Sequence, residues 1–364
     1  MKLLYLTPKI NSEGGLERVL CLKANYLLKN YNYDISIVTQ NNGNSNSFYP
    51  LEKEIKLFDL DLSGSRLQFF FKYIKEIKNI IASENPETIV IVDSIYKAYL
   101  VSFIAKNKRI IYECHNSIYV QQSPKKTIFI FNWISNLNLW FNRFGASKFN
   151  EFIVETPESI KEWKVKNSIV IPNPLWFSTD NVADLSQKKV IAVGRHAYEK
   201  GFDRLLDIWK KVIVKHPDWN LTIYGKSNPD FDILALAKKL NIDKNITFYD
   251  PVKNINEKYL EASIYLMTSR FEGFGMVLIE AMASGLPCIA YDCPCGPRSI
   301  IENNQNGFLV EDGNENQFIQ KLEMLIKNEN LRIDMGNKAK ISVNKYQIEA
   351  IMEQWNSVLK GEVV

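Results

Sequence analysis

Short runs rich in Ile and Val, apolar on consecutive residues, recur along this chain and alternate with stretches of helical periodicity. In the first half they cover 3–7, 35–40, 55–60, 88–93, 109–115, 151–155 and 168–171. In the second they cover 189–193, 221–224, 246–249, 264–268, 288–291 and 307–310. A strand that is apolar on successive residues is buried on both faces, the condition of a parallel sheet covered by helices. The helical stretches fall between, at 16–29 and 66–82, then at 202–215, 233–240 and 275–283. Strand–helix–strand order of this kind predicts an α/β fold.

The length of 364 residues suits two such domains. Pro172-Asn173-Pro174, followed by the polar stretch 178–187, breaks both periodicities and marks the boundary. We expect an N-terminal Rossmann-like domain at 1–172 and a C-terminal one at 173–345. The periodic stretch 346–359 would cap either domain by its pattern, and 346–364 is expected to return to the first. Doubly wound domains bind ligands in the crevice beyond the carboxyl ends of their strands.

With 46% hydrophobic and 24% charged residues, disordered and fibrous classes are excluded. The apolar run 128–134 is broken by Asn132 and too short to span a bilayer. Pro8 cuts the first apolar run, which leaves no signal-peptide core. Five cysteines in that setting predict reduced thiols and a cytoplasmic location. Charge is unevenly spread: residues 1–150 carry 19 Lys/Arg against 12 Asp/Glu, and 151–364 carry 26 against 29. Seven basic residues face a single acid, Glu113, within 101–150. Such a surplus suits an anionic surface, lipid head groups or phosphates, or else a solvated face.

Three turns carry chemistry. The stretch SRFEGFGMVLIEAMASGLP at 269–287 puts a glycine turn between a strand and a helix starting near Gly275. Turn glycines allow close backbone approach, and the free N–H groups of a helix start point at an anion. Glu272 in the turn suits sugar hydroxyls, and Glu280 inside the helix suits a ribose diol. In GRHAYEKG at 194–201, Arg195 supplies a planar fork and Lys200 a point charge, a clamp for a diphosphate. Gly14-Gly15 follows the first strand but lacks the third glycine of a dinucleotide fingerprint. His115 closes a strand, where a lone histidine is commonly a structural hydrogen-bonding residue. With three histidines, and Cys293-Pro294-Cys295 lacking a second pair at zinc spacing, no metal site is assigned.

These residues resemble the retaining nucleotide-sugar glycosyltransferases of the GT-B fold, family 4. The resemblance runs from GGLERV at 14–19 to the Trp355 stretch; its most specific parts are Glu272-x7-Glu280 and the Arg195/Lys200 loop. IPNP at 171–174 matches the interdomain segment. YDCPCGPRSII at 291–301 is similar to a variant in polysaccharide-assembly members that use UDP-linked hexoses or N-acetylhexosamines.

The resemblance implies two Rossmann-like doubly wound domains facing across a cleft. It implies Arg195 and Lys200 on the donor diphosphate, Glu272 on the transferred sugar, and Glu280 on the ribose. Backbone N–H groups of Phe274, Gly275, Met276 and Val277 would meet phosphates and sugar, and Gly15 would approach the phosphates. His115 matches the histidine near the sugar 6-hydroxyl and the reacting centre, while Tyr224-Gly225 and Val252-Lys253 fall where the base is held. The family often has Glu where Ser299 stands here, after Arg298, and Leu where His196 stands. Those departures leave donor sugar identity open.

The implied activity is retaining, metal-independent hexosyl transfer without a cofactor, to a glycan or polyprenyl-diphosphate-linked glycan in cell-surface polysaccharide synthesis. A cationic clamp with a helix dipole stabilises the leaving diphosphate. The stretch 125–149 interleaves Trp133, Trp140 and Phe144 with Lys125, Lys126, Arg143 and Lys148. It suits either a face resting on an anionic membrane, on the inner side of the cell membrane, or a core helix. No nucleic-acid module is present. The competing readings are a nucleotide-sugar epimerase of the same fold, a glycan phosphorylase, which would need a pyridoxal lysine, and a catalytically silent scaffold subunit.

Overall fold

The computed structural model describes the chain apart from residues 44–45, 93, 119–128 and 363–364, and only the backbone over 129–136. Lys125, Lys126, the Trp133 side chain and the end of the expected strand 88–93 therefore lie outside the described residues. The chain divides into two compact units, residues 1–176 with 348–364, and residues 177–347.

The first unit is a parallel sheet of β1 (Lys2–Leu6), β2 (Asp34–Gln40), β3 (Lys56–Leu60), β4 (Thr88–Ile91), β5 (Arg109–Cys114), β6 (Glu151–Val154) and β7 (Ser168–Val170). The strand order is β3-β2-β1-β4-β5-β6-β7. It is flanked by α1 (Gly15–Tyr31), α2 (Arg66–Glu84), α3 (Ile95–Ile104), α4 (Phe129–Ala146) and α5 (Pro157–Trp163). Alternation along β1 explains why both faces are dry. Leu4 and Leu6 join one core with Tyr73, Ile77, Ala98 and Val101 of α2 and α3, while Leu3 and Tyr5 join the other with Leu20, Ala24 and Leu27 of α1. At the start of α2, Ser65 and Gln68 form a reciprocal capping box.

The second unit repeats the design with β8 (Lys189–Val193), β9 (Asn220–Tyr224), β10 (Ile246–Tyr249), β11 (Ile264–Met267), β12 (Cys288–Tyr291) and β13 (Gly307–Val310). They are parallel, in the order β10-β9-β8-β11-β12-β13. Its helices are α6 (Phe202–Ile213), α7 (Ile233–Lys239), α8 (Ile255–Leu260), α9 (Met276–Ala283), α10 (Pro297–Ile300), α11 (Glu315–Lys327) and α12 (Glu329–Ser342). Trp209, Leu205 and Val212 of α6 fill its core with Phe318 and Leu322 of α11.

The final helix, α13 (Ile348–Lys360), belongs to the first unit, where Ile351, Met352, Trp355, Val358 and Leu359 join the α1 core. Arg109 at the start of β5 fastens its end, donating to the carbonyls of Leu359 at 2.7 Å and Val358 at 2.6 Å while Glu151 balances the charge. A cation on the last carbonyls is favourable because they carry the negative end of the helix dipole.

Each sheet changes winding direction once, between β1 and β4 in the first and between β8 and β11 in the second. Chain leaving β1 enters the Gly14-Gly15 loop; chain leaving β8 and β11 enters the Arg195–Lys200 and Ser269–Gly275 loops. Topology thus carries the sequence motifs to the switch points where ligands of open α/β sheets bind.

Candidate active site

In the second unit, the loops after β8 and β11 are locked together. Gly201 has φ +65°, and a Cβ there would lie 2.0 Å from the carbonyl oxygen of Thr268, so the position requires glycine. Thr268 donates to the Gly201 carbonyl at 2.9 Å, and Arg270 holds Asp203 through two bonds of 2.8 and 2.6 Å. This packing presents Lys200, at the end of a single 3-10 turn, to Glu272. The Lys200 ammonium donates to both carboxylate oxygens, at 2.8 and 3.0 Å, and Ser269 donates to Oε1 at 2.6 Å. Glu272 is buried.

Arg195 stands apart from this pair. Its side chain is 72% exposed and pairs with Glu199 at 2.9 Å, not with Glu272. Glu280, on the first turns of α9, is buried and accepts from the Tyr259 hydroxyl of α8 at 3.0 Å. Gly275 caps α9 with φ +100°, and no side chain caps the helix start. The backbone N–H groups of Met276 and Val277 therefore begin an eight-residue helix without a side-chain acceptor. Phe274 is buried, its ring 5.3 Å from that of Tyr346.

The expected base-contacting residues sit on neighbouring loops. A Cβ on Gly225 would lie 1.8 Å from the carbonyl oxygen of Gly194, so the turns after β8 and β9 touch through backbone alone. Tyr224 stacks on Tyr249 at 5.0 Å, and beyond β10 Val252 is half-buried and Lys253 exposed. His196 is buried between Phe202 and Phe248 rather than turned to solvent, and burial lowers its basicity. Cys293 and Cys295 are buried thiols; burial, with the nearby Glu272 charge, pushes Cys293 far above the ordinary thiol range.

In the first unit, Gly15 has open space where a Cβ would be, whereas a Cβ on Gly14 would meet the Glu17 carboxylate at 2.2 Å. Ser12 bonds that carboxylate. His115 lies just past β5, and both its ring nitrogens are taken: Nδ1 meets Glu155 at 2.6 Å and Nε2 meets Glu113 at 3.1 Å. Burial alone would lower its pKa; Glu155 and Glu113 reverse that and hold it at about 10. Glu113 is also paired with Lys23 of α1, and Asn173 donates to Glu155. Neither ring nitrogen meets a ligand unless a carboxylate yields.

Lys23, Glu155 and Tyr259 were not singled out by their sequence context, and Asn173 and Ser269 lie in quoted motifs without a role assigned to them. A signal existed for Lys23, a charge inside the apolar LCLKANYLL pattern of its helix. Among the described residues, no group of three or more His, Cys, Asp or Glu side chains is arranged to hold a metal ion, and no helix is long and apolar enough to cross a membrane.

Residues 177–342, nearly the whole second unit, match the family model described as glycosyl transferases group 1. An uncharacterized glycosyltransferase of Haemophilus influenzae is 30% identical over 98% of this chain and 99% of its own. The amylovoran biosynthesis glycosyltransferase AmsD of Erwinia amylovora is 30% identical over the same shares. Among solved structures, Anabaena HepE in complex with UDP and glucose superposes with a TM-score of 0.78 at 17% identity, over 99% of this chain and 100% of that one. The chain belongs to the group 1 glycosyl transferases. It is a glycosyltransferase with the GT-B fold, and its two parallel-sheet Rossmann-like units agree with that.

Proposed function

We propose that the protein moves a hexose or N-acetylhexosamine from a UDP-sugar to a hydroxyl of a glycan or polyprenyl-diphosphate-linked glycan in cell-surface polysaccharide assembly. The reading is a retaining, family 4 transfer that needs neither metal nor cofactor. The observation that carries it is the Lys200–Glu272 ion pair set beside the α9 helix start, whose backbone has no side-chain cap, at a switch point of the second sheet. The AmsD relative, named for amylovoran biosynthesis, supports a biosynthetic pathway.

In this mechanism the donor diphosphate takes Lys200 from Glu272, with Arg195 swinging onto the other phosphate and the α9 N–H groups facing its oxygens. Glu272, released, accepts from the sugar hydroxyls; Glu280, oriented by Tyr259, accepts from the ribose. The bond between the anomeric carbon and the β-phosphate oxygen breaks as the acceptor oxygen bonds to the same face of that carbon. The acceptor proton passes to the departing phosphate, so charge balances without a protein base. Fixed cations and helix-end dipoles stabilise the leaving group because they are already oriented when its charge grows.

The anionic-surface reading draws support from α4: Trp140 is 59% exposed, Leu137 and Phe144 stand beside it, and the Lys148 ammonium lies 4.6 Å from the Phe144 ring. An apolar ridge rimmed by cations suits the inner face of the cell membrane.

The test is thermal stability with UDP, GDP, ADP and their sugars in EDTA, followed by NMR of the product. Binding to the native state raises the melting temperature. We expect a UDP-series shift that Glu280→Gln abolishes, then a product with the donor's anomeric configuration. An inverted product would overturn retention, a C2 epimer would indicate an epimerase, and binding without turnover a scaffold.

A further inference from the structure

The turn that carries Lys200 and the loop that carries Glu272 meet at alternate residues of the chain leaving β11. Thr268 donates to the Gly201 carbonyl, and Glu272 accepts from Lys200. Between them stands Arg270. Its backbone N–H donates to the Glu199 carbonyl at 2.7 Å, and its guanidinium donates to the Tyr198 carbonyl at 2.8 Å. One residue thus takes two consecutive carbonyls of the 3-10 turn Tyr198–Lys200.

The guanidinium does this from a fixed place. It grips Asp203 as a fork, each terminal nitrogen donating to one carboxylate oxygen, at 2.8 and 2.6 Å. Its central carbon lies 4.1 Å from the centroid of the Tyr198 ring. Asp203 belongs to the first turn of α6, a helix held in the core by Phe202, Leu205 and Leu206. A lysine offers three donors at one point and has no plane, so it cannot make the fork and lie on the ring together.

Neither partner needs this arginine for its own sake. The Tyr198 carbonyl also accepts from the Gly201 N–H at 3.2 Å, so the turn closes without it. An acid in the first turn of a helix is favourable by itself. What Arg270 adds is place: it ties turn to loop two residues before each end of the Lys200–Glu272 pair. That matters because a partly open hollow, lined by Val193, Lys200, Phe202, Thr268 and Ser269, lies beside the pair. Packing alone therefore does not fix the lysine chain.

We propose that Arg270 is a positioning residue for the transfer: by fixing the turn 198–200 on the loop after β11, it holds the Lys200 ammonium where the charge of the leaving diphosphate grows. The proposal rests on the reading of Lys200 as a donor-diphosphate cation, and Arg270 acts only through that lysine. A preorganised charge is effective because it need not reorient during reaction. Misplacing such a group by about 1 Å costs on the order of a hundredfold.

The experiment is a double-mutant cycle on the intact chain. UDP release is followed from whichever of UDP-glucose, UDP-galactose, UDP-N-acetylglucosamine and UDP-N-acetylgalactosamine the wild type turns over. Arg270→Gln should lower kcat about a hundredfold, with kcat/KM falling equally, because the lost interaction belongs to the transition state. Arg270→Lys keeps the charge without the fork and should recover less than about tenfold of that loss. In a Lys200→Ala background either substitution should cost less than about threefold more, since the cation it places is gone. Damage to the fold would instead lower the rate in both backgrounds alike, and urea unfolding checks each variant. If Arg270→Gln does not fold, the same comparison is made with Arg270→Lys. Additive losses, or an unchanged kcat in the Arg270 variants, would overturn the positioning role and leave the donor reading intact. Full activity of Lys200→Ala, or no UDP release by wild type from any of the four, would fell the donor reading and this proposal with it.

Discussion

The ammonium of Lys23 lies 3.8 Å from the ring centroid of Trp355, so a residue of the first helix and one of the last share a single buried contact. A desolvated ammonium over an indole face gains more than an exposed one. The same ammonium pairs with Glu113, and through it the first and last helices bear on the His115 cluster.

Lys200→Ala removes the cation that faces Glu272 and, in the proposed mechanism, the diphosphate. Losing one preorganised charge of this kind costs about 10²–10³ in kcat. We expect that loss in steady-state assays of UDP release, with a cooperative unfolding transition retained. Activity within threefold of wild type would remove Lys200 from the mechanism.

Gly201→Ala and Gly313→Ala separate backbone strain from steric collision. Both glycines have positive φ, +65° and +79°, but only a Cβ on Gly201 meets backbone, while nothing lies within 4 Å at Gly313. The strain alone is worth about 1–2 kcal/mol. Urea unfolding should show roughly that loss for Gly313→Ala and a distinctly larger one, about 3 kcal/mol or more, for Gly201→Ala. Equal losses would contradict the close approach to Thr268.

The His115 cluster makes stability depend on pH with a definite sign. Held at about 10 in the folded state, above its ordinary 6.5, His115 binds its proton more tightly folded than unfolded. Its contribution is complete below pH 6.5, shrinks as pH rises, and is gone above about 10. The urea midpoint of wild type should therefore fall more steeply between pH 7 and 10 than that of His115→Gln. Parallel curves would mean an ordinary histidine.

For the α4 ridge, sedimentation with vesicles is the measure. Wild type should pellet with phosphatidylglycerol vesicles and less with phosphatidylcholine, since the attraction combines apolar burial with charge. Trp140→Ser should weaken binding by about tenfold or more, given roughly 25 cal/mol per Å2 of lost apolar contact. Equal sedimentation of both proteins would return this ridge to an ordinary solvated face.

The sheets were legible because their strands are continuously apolar: TIVI at 88–91 and CIAY at 288–291 admit no one-sided burial. Helices held by other means were not. In α12 the Arg332 guanidinium, buried among backbone, donates to the carbonyls of Leu185, Leu325 and Ile326. That anchoring leaves no apolar period to read. Helix α3, IYKAYLVSFI, is apolar nearly all round and so gives no face either. In the site, motif resemblance pointed to Lys200 and Glu272 one at a time. Their ion pair depends on two loops meeting through Gly201 and Thr268, and the buried cluster on charges drawn from α1, β5 and the loop after β6. Such meetings have no local signature.

Helix α13 belongs to the first unit although the whole of the second precedes it in the chain. During synthesis, then, the unit made first is the one completed last. Domains tend to fold as they emerge from the ribosome, and residues 177–347 have everything they need before Trp355 is made. Until that tryptophan arrives, the α1 side of the N-terminal sheet lacks the apolar cover of α13, and the Lys23 ammonium lacks the indole face that lies over it.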